Sequence, residues 1–398
     1  MRGRRFSEVL LLEPRIRHYA WGDIDFIPSE LGCEPDGRPW AEAWYGAHPA
    51  APSLIQGDRD TRTLDRVIEE ERTAMLGPEV AAEYGRLPYL VKLLAAARPL
   101  SIQVHPDAQQ AEAGFRREEA DGVPREAPHR NYRDASHKPE LIVALGEFHA
   151  LCGFRSYPDM RASLSRLPEI TTLMPPLEEG AEALEDWLRI WFALPESAWR
   201  PALAALLARL ASEEDGDEVA QWALRAQRAL GVDAPPDRGL LFCFLLELRR
   251  LKPGQALFLA AGVPHAYLCG AGIEVMAASD NVLRAGLTPK HVAVQELLDV
   301  LRCDLPAPAV IEPDASGRYV TPTKEFDLQR LTIGEGLSEP FVAKGPELVL
   351  ALGAGEAEIE ASGRQLRLRG GAACLIPHGL HYRCRSRGPI LWRCRNLG

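Results

Sequence analysis

Three short apolar runs, each bounded by glycine or proline and each carrying side chains able to bind a metal, constrain this chain most. The first is Pro99-Leu100-Ser101-Ile102-Gln103-Val104-His105-Pro106-Asp107. Strand alternation predicts Ser101, Gln103 and His105 on one face and Leu100, Ile102 and Val104 on the other. Pro106 cannot continue a ladder, so the strand should end just past His105. The second, Asp134-Ala135-Ser136-His137-Lys138-Pro139-Glu140, leads into the apolar residues 141–145, and the third, Ala261-Gly262-Val263-Pro264-His265-Ala266-Tyr267, follows the apolar residues 256–259. Taken singly, each polar residue has a plain structural reading: a hydrogen-bonded loop histidine, a solvated edge carboxylate, a structural glutamine. Together they are different, because an unpartnered polar side chain in an apolar strand is costly. If the three strands meet, Gln103, His105, Glu140 and His265 bring one amide oxygen, two imidazoles and one carboxylate to one metal site.

Composition narrows the function classes. A chain of 398 residues can hold two or three domains. Its formal net charge of -10 argues against nucleic acid or an anionic membrane as the main partner, though not against a small anionic substrate. Eight scattered cysteines without a Cys-x-x-Cys pair suit reduced thiols in the cytosol. The basic residues 1–5 precede an apolar run too short for a signal peptide, and no stretch reaches membrane-spanning length, so a cytoplasmic protein is expected. Only six of the 46 basic residues are lysines, and Lys92, Lys138 and Lys290 lie in or beside the motifs. A retained ammonium among so many guanidinium groups suggests a particular chemical use.

In chain order, residues 8–60 read as strands and tight loops, 61–85 as helical, and 87–94 as a buried strand carrying Lys92. A helix over 108–120 and a polar loop over 121–136 follow. The Glu140 strand is expected to run on to about residue 152. Residues 156–232 carry leucine and tryptophan at helical spacing between acidic clusters, which predicts an α-helical insertion. Residues 240–251 read as an apolar helix, 292–301 as a short helix, and 306–398 as strands and turns. Gly254, residues 256–259 and Gly262-Val263-Pro264-His265 are echoed by residues 371–377 and His378-Gly379-Leu380-His381-Tyr382. This faint repeat predicts two β-barrels of related design, each a double-sheet jelly roll. Nothing like Gln103-Val104-His105 precedes the second copy, so it is expected to be metal-free, with His378 and His381 structural. The expected fold is mainly β with an α insertion. A first β domain comprises residues 1–155 and 236–305, a helical insertion 156–235, and a second β domain 306–398.

At the motifs the chain resembles the type I phosphomannose isomerases, zinc enzymes of the cupin superfamily. The blocks that carry the resemblance begin with Tyr19-Ala20-Trp21-Gly22, Ala41-Glu42-Ala43-Trp44 and Gly46-Ala47-His48-Pro49. The three runs above follow, and the last block is Gly272-Ile273-Glu274-Val275-Met276-Ala277-Ala278-Ser279-Asp280-Asn281-Val282-Leu283-Arg284-Ala285-Gly286-Leu287-Thr288-Pro289-Lys290. Ala43 stands where leucine is usual and Ala260 where proline is usual; neither change removes a ligand. The resemblance implies two cupin-like jelly-roll barrels and one Zn2+ per chain held by Gln103, His105, Glu140 and His265. It also implies interconversion of mannose 6-phosphate and fructose 6-phosphate, in mannose catabolism or in GDP-mannose biosynthesis.

The chemistry can be set beside the residues. An aldose–ketose isomerisation opens the sugar ring and moves a proton between C2 and C1 through an enediol-type intermediate. A metal with neutral imidazole and amide ligands and one carboxylate keeps net positive charge and acts as a Lewis acid on developing oxyanions. Zinc suits such a ligand set, although other divalent metals also bind it. Arg284 is the candidate for oxyanion or phosphate contact, because its planar fork matches either group. Proton transfer is open among Glu274, His137 and Asp280; the resemblance implies roles for His137, Lys138, Glu274 and Arg284. Lys92, Ser101 and Lys290 are expected to face the phosphorylated hexose, with Trp21 and Tyr267 walling the sugar pocket. A cupin-type metal oxygenase and a non-catalytic sugar-binding cupin are the alternatives. A monomer, or a dimer, is expected.

Overall fold

The computed structural model describes residues 8–57, 62–213, 217–231, 233–333 and 336–396; the basic residues 1–5 lie outside them. Among the described residues the chain is mainly β-sheet with helices, arranged in sheets of ten, seven and four strands. The ten-stranded sheet folds around one long strand, His265–Ala277, that belongs to two walls at once. Its second half pairs antiparallel with Tyr89–Ala96 on one side and Glu140–Ala144 on the other. Its first half pairs with Phe148–Phe154, and His265 itself lies opposite Gln103 of the strand Ile102–Val104. A register break between Tyr267 and Cys269 marks the change of wall, as expected where an irregular residue re-aims a strand.

Alternation sends side chains to different layers. In the wholly buried strand Tyr89–Ala96, residues 89, 91, 93 and 95 enter one core, while Leu94 and Ala96 enter another. Lys92 shares the second face. The first of these cores is common to the ten-stranded and seven-stranded sheets, joining Val91, Val143 and Val275 to Leu348, Leu350 and Leu375. The seven-stranded sheet comes mostly from the last eighty residues, yet Leu10–Glu13 lies inside it, between Ala373–Ile376 and Leu54–Ile55. The helices from Tyr157–Ser165 to Glu218–Leu230 pack around Trp187, Trp191 and Leu203. Their core also takes in Ile102, Val104, Ala266, Leu283 and Ala285, the backs of strands whose fronts carry Gln103, His265 and Arg284. The helical layer therefore braces the strands that bear the polar motifs.

Three local expectations are corrected. Residues 240–251 are not one helix: a short helical stretch ends at Leu245, and Leu246–Leu251 is a strand paired with Phe148–Phe154. Leu246 and Leu248 alternate with Glu247 and Arg249, and cross-strand pairing overrides leucine's helical preference. The Glu140 strand stops at Ala144; Phe148–Phe154 is separate, beyond a turn containing Gly146. Leu100 lies outside the strand Ile102–Val104 and joins a different core from Ile102 and Val104. By contrast, the helix Ala108–Ala120 starts where its sequence specifies. Asp107 Oδ1 accepts from Gln110 N–H at 2.8 Å and Gln110 Oε1 accepts from Asp107 N–H at 3.0 Å, a reciprocal cap. No helix among the described residues is long and apolar enough to cross a membrane.

Candidate active site

The three motif strands meet. His105, Glu140 and His265 are all buried, and one potential ligand atom from each lies within 4.8 Å of the others. Both imidazoles are fixed through Nδ1, which faces the carbonyl of Asn281 at 2.9 Å in His105 and that of Val263 at 3.0 Å in His265. A carbonyl accepts only, so Nδ1 carries the proton and Nε2 presents its lone pair. The Nε2 atoms lie 3.4 and 3.6 Å from Glu140 Oε2, and the buried His105 Nε2 has no hydrogen-bond partner. Two lone pairs facing a carboxylate oxygen repel one another unless a cation lies between them. Burial pushes His105 down to about 4, so this ligand has no proton to shed at neutral pH. Gln103 adds an amide beside them, opposite His265 on one side and Arg284 on the other. The donor set fits a divalent metal.

Glycine shapes the His265 turn. Gly262 has φ +77°, and a Cβ there would lie 2.2 Å from Arg302 Cγ, so only glycine fits. The turn also donates Gly262 N–H to the His105 carbonyl at 2.9 Å, tying two ligand segments together. Ala260 leaves this turn closed, its carbonyl accepting from Val263 N–H at 3.3 Å.

Charge around the site is arranged in two groups. In the buried group, Lys138 Nζ lies 3.0 Å from Glu140 Oε1, and Lys92 Nζ lies 2.7 Å from Glu274 and 3.7 Å from Glu42. Tyr267 donates to Glu274 at 2.9 Å, and Trp44 donates to Glu42 at 2.8 Å while its ring lies under the Lys92 ammonium. Burial opposes charge on Lys92, but the carboxylates of Glu274, Glu42 and Glu140 outweigh it and hold its proton firmly. Three carboxyl groups face two ammonium groups here, and burial, with Glu140 and Glu42 beside it, pushes Glu274 up despite Lys92. The second group lies in an open cavity of about 890 Å³. Arg133, Arg284 and Lys290 line it and form no ion pair among the described residues. Burial, and then neighbouring cations, push Arg284 and Lys290 below their usual ranges. Such a cluster is suited to an anion.

The cavity is lined by Trp21, Lys92, Ser101, Gln103, Lys138, Asp280, Arg284 and Lys290 of the residues anticipated from sequence, with Tyr19 stacked on Trp21 at 5.6 Å. None of the metal-fitting trio lines it, but Lys138, which does, lies 3.0 Å from Glu140 Oε1. Glu274 and Tyr267 are buried behind Lys92. His137 is engaged elsewhere, its Nε2 2.7 Å from Glu325. His378 faces the Lys344 carbonyl at 2.7 Å, and His381 is exposed opposite Val342. Glu42, Trp44, Arg133, Asn281 and Glu325 were not singled out from sequence. The alternation of Glu42 and Trp44 was the available signal for two of them; the others need the fold.

A model of the phosphomannose isomerase type I catalytic domain matches residues 9–157. The mannose-6-phosphate isomerase of Salmonella typhimurium is 36% identical over 379 residues, covering 91% of this chain and 93% of that protein. The chain belongs to the phosphomannose isomerase family. The Escherichia coli mannose-6-phosphate isomerase is 35% identical, with the same coverage of both chains. A crystal structure of the Salmonella typhimurium isomerase bound to fructose 6-phosphate and zinc superposes with a TM-score of 0.87 at 34% identity, covering 98% of this chain and 99% of that one.

The His137–Glu325 pair also gives a stability test. Burial alone would push the Glu325 carboxyl up, but hydrogen bonds from His137 and Thr323 outweigh it and hold it at about 2. Depression below the ordinary 4.5 means the pair stabilises above that pH and is lost as pH falls toward 2. Glu325→Gln should therefore melt below the parent at pH 7, with the gap closing between pH 4.5 and 2. A gap that persists at pH 2 would refute this origin.

Proposed function

We propose that this chain interconverts mannose 6-phosphate and fructose 6-phosphate with one zinc ion held by Gln103, His105, Glu140 and His265. The observation that carries the reading is the orphaned, buried His105 Nε2 facing Glu140 beside a cavity with uncompensated cations. When bound, zinc supplies Lewis-acid polarisation of the sugar oxygens and stabilisation of an enediolate. The residues do the rest. Arg284 and Lys290, with Ser101 beside them, hold the phosphate; Lys92 and Lys138 face the sugar oxygens; the Tyr19–Trp21 stack walls the pocket. Of the proton-transfer candidates, Glu274 is engaged by Lys92 and Tyr267, and His137 by Glu325. Asp280 is the one on the cavity, with His48 Nε2 3.6 Å from its carboxylate. We assign it the proton moved between C1 and C2 through an enediol. Asp280→Asn should lower kcat by about 10²–10⁴; a change below threefold would remove Asp280 from this role.

The two β units are read as cupin-like jelly rolls, each with its own interior, sharing a core between them, with the helical insertion packed on the first. Eight unpaired cysteines support a cytoplasmic location, and a cavity lined within one chain supports a monomer. A coupled assay of mannose 6-phosphate isomerisation, before and after chelation and with zinc restored, tests the reading. Activity should vanish with the chelator and return with zinc. Zinc binding without turnover would leave a sugar-binding protein instead.

A further inference from the structure

Asn281 has no part in the reaction as drawn, yet it is fully buried and every polar atom it has is used. Its side-chain oxygen accepts from the backbone N–H groups of Arg133 at 2.7 Å and Asp134 at 3.3 Å. Its amide nitrogen donates to the carbonyls of Asp134 at 2.7 Å and Ser136 at 2.9 Å. Its own N–H donates to Ser279 Oγ at 3.2 Å, and that hydroxyl donates to the Ser136 carbonyl at 3.0 Å. Its carbonyl accepts from His105 Nδ1. One side chain thus supplies the donors and acceptors that a neighbouring strand would supply, to a loop that has no strand beside it.

That loop carries Arg133 to the cavity wall, where its side chain is exposed and without a carboxylate partner among the described residues. We propose that Asn281 is a positioning residue, clamping the 133–136 backbone so that Arg133 joins Arg284 and Lys290 as a third cationic contact for the anionic end of the substrate. The inference rests on the sugar-phosphate reading above. Only asparagine meets the geometry at this size. Aspartate would set a carboxylate against the Asp134 and Ser136 carbonyls, and alanine would strip three backbone groups, the Arg133 and Asp134 N–H groups and the Asp134 carbonyl, of these bonds.

The test compares zinc-loaded parent protein with Asn281→Asp, Asn281→Ala, Arg133→Ala and the Asn281→Ala/Arg133→Ala double variant. KM and kcat for mannose 6-phosphate, the competitive inhibition constant of inorganic phosphate and the zinc content are read for each. Each single variant should raise KM and the phosphate inhibition constant together by about tenfold, with most of the loss in KM. Zinc content should hold, because His105 bonds to a backbone carbonyl that every variant keeps. The double variant should be no weaker for phosphate than Arg133→Ala alone, since one side chain acts through the other. Falls in kcat and zinc without a shift in phosphate inhibition, or additive losses in the double variant, would overturn the proposal. If the Asn281 variants do not fold, Arg133→Ala decides, and unchanged KM and phosphate inhibition overturn it. If the parent protein does not isomerise, the functional reading fails separately. Calorimetric binding of inorganic phosphate to the parent, to Asn281→Ala and to Arg133→Ala then decides it: about tenfold weaker binding to both variants supports the proposal, and binding to either variant equal to the parent's overturns it.

Discussion

His265→Ala is expected to fold, to lose bound zinc and to lose turnover by at least about 10²–10³ in kcat. The imidazole is held by the Val263 carbonyl and presents Nε2 to Glu140 from the start of the longest strand, so no nearby side chain replaces it. The remaining wall is braced by the helical core rather than by His265, which is why folding should survive. Metal analysis after dialysis and the coupled assay read both effects. A variant that keeps one zinc and near-parental turnover would remove His265 from the ligand set. Loss of turnover with zinc retained would place its role on the substrate side instead.

Arg284→Ala should lower kcat/KM for mannose 6-phosphate by about 10²–10³ while zinc content stays. The residue lies opposite Gln103 on a short strand, Leu283–Gly286, whose end is pinned by a close approach. A Cβ on Gly286, at φ +134°, would lie 2.4 Å from Gly239 Cα, and Asp237 Oδ1 accepts from the N–H groups of both Gly239 and Leu287 at 2.7 Å. Arg284 therefore enters the cavity from a fixed base. Arg284→Lys should recover little, because a single ammonium cannot reproduce a planar fork on a phosphate or a pair of sugar oxygens. Full recovery by lysine would mean that only charge matters there, and an alanine variant within threefold of the parent would sink the assignment.

Much of this was legible in short sequence patterns where the physics is local. Pro106 after His105 and the Gly262-Val263-Pro264 segment before His265 each mark a backbone event within a few residues. The convergence of His105, Glu140 and His265 could be argued because polar groups in apolar strands need partners. What sequence did not convey depends on distant pairing. Leu246–Leu251 reads as helix until Phe148–Phe154 is beside it. The fixing of Lys92 by Glu42 and Glu274 requires that Trp44, Lys92 and Glu274 share one row across three strands. The pairing of His137 with Glu325, 188 positions away, follows only from how distant parts of the chain pack.

The placement of Leu10–Glu13 has a consequence for how the molecule is made. One edge of that strand meets Leu54–Ile55 early in synthesis, but its other partner, Ala373–Ile376, emerges some 360 residues later. At translation rates of about 5–20 residues per second, that edge waits on the order of tens of seconds. The two-sheet core that includes Leu10 and Leu12 cannot close around them until Leu348, Leu350 and Leu375 have been made. The face of the ten-stranded sheet that carries Val91, Val143 and Val275 thus stays uncovered until then, and its burial is a late event of biogenesis rather than an early one.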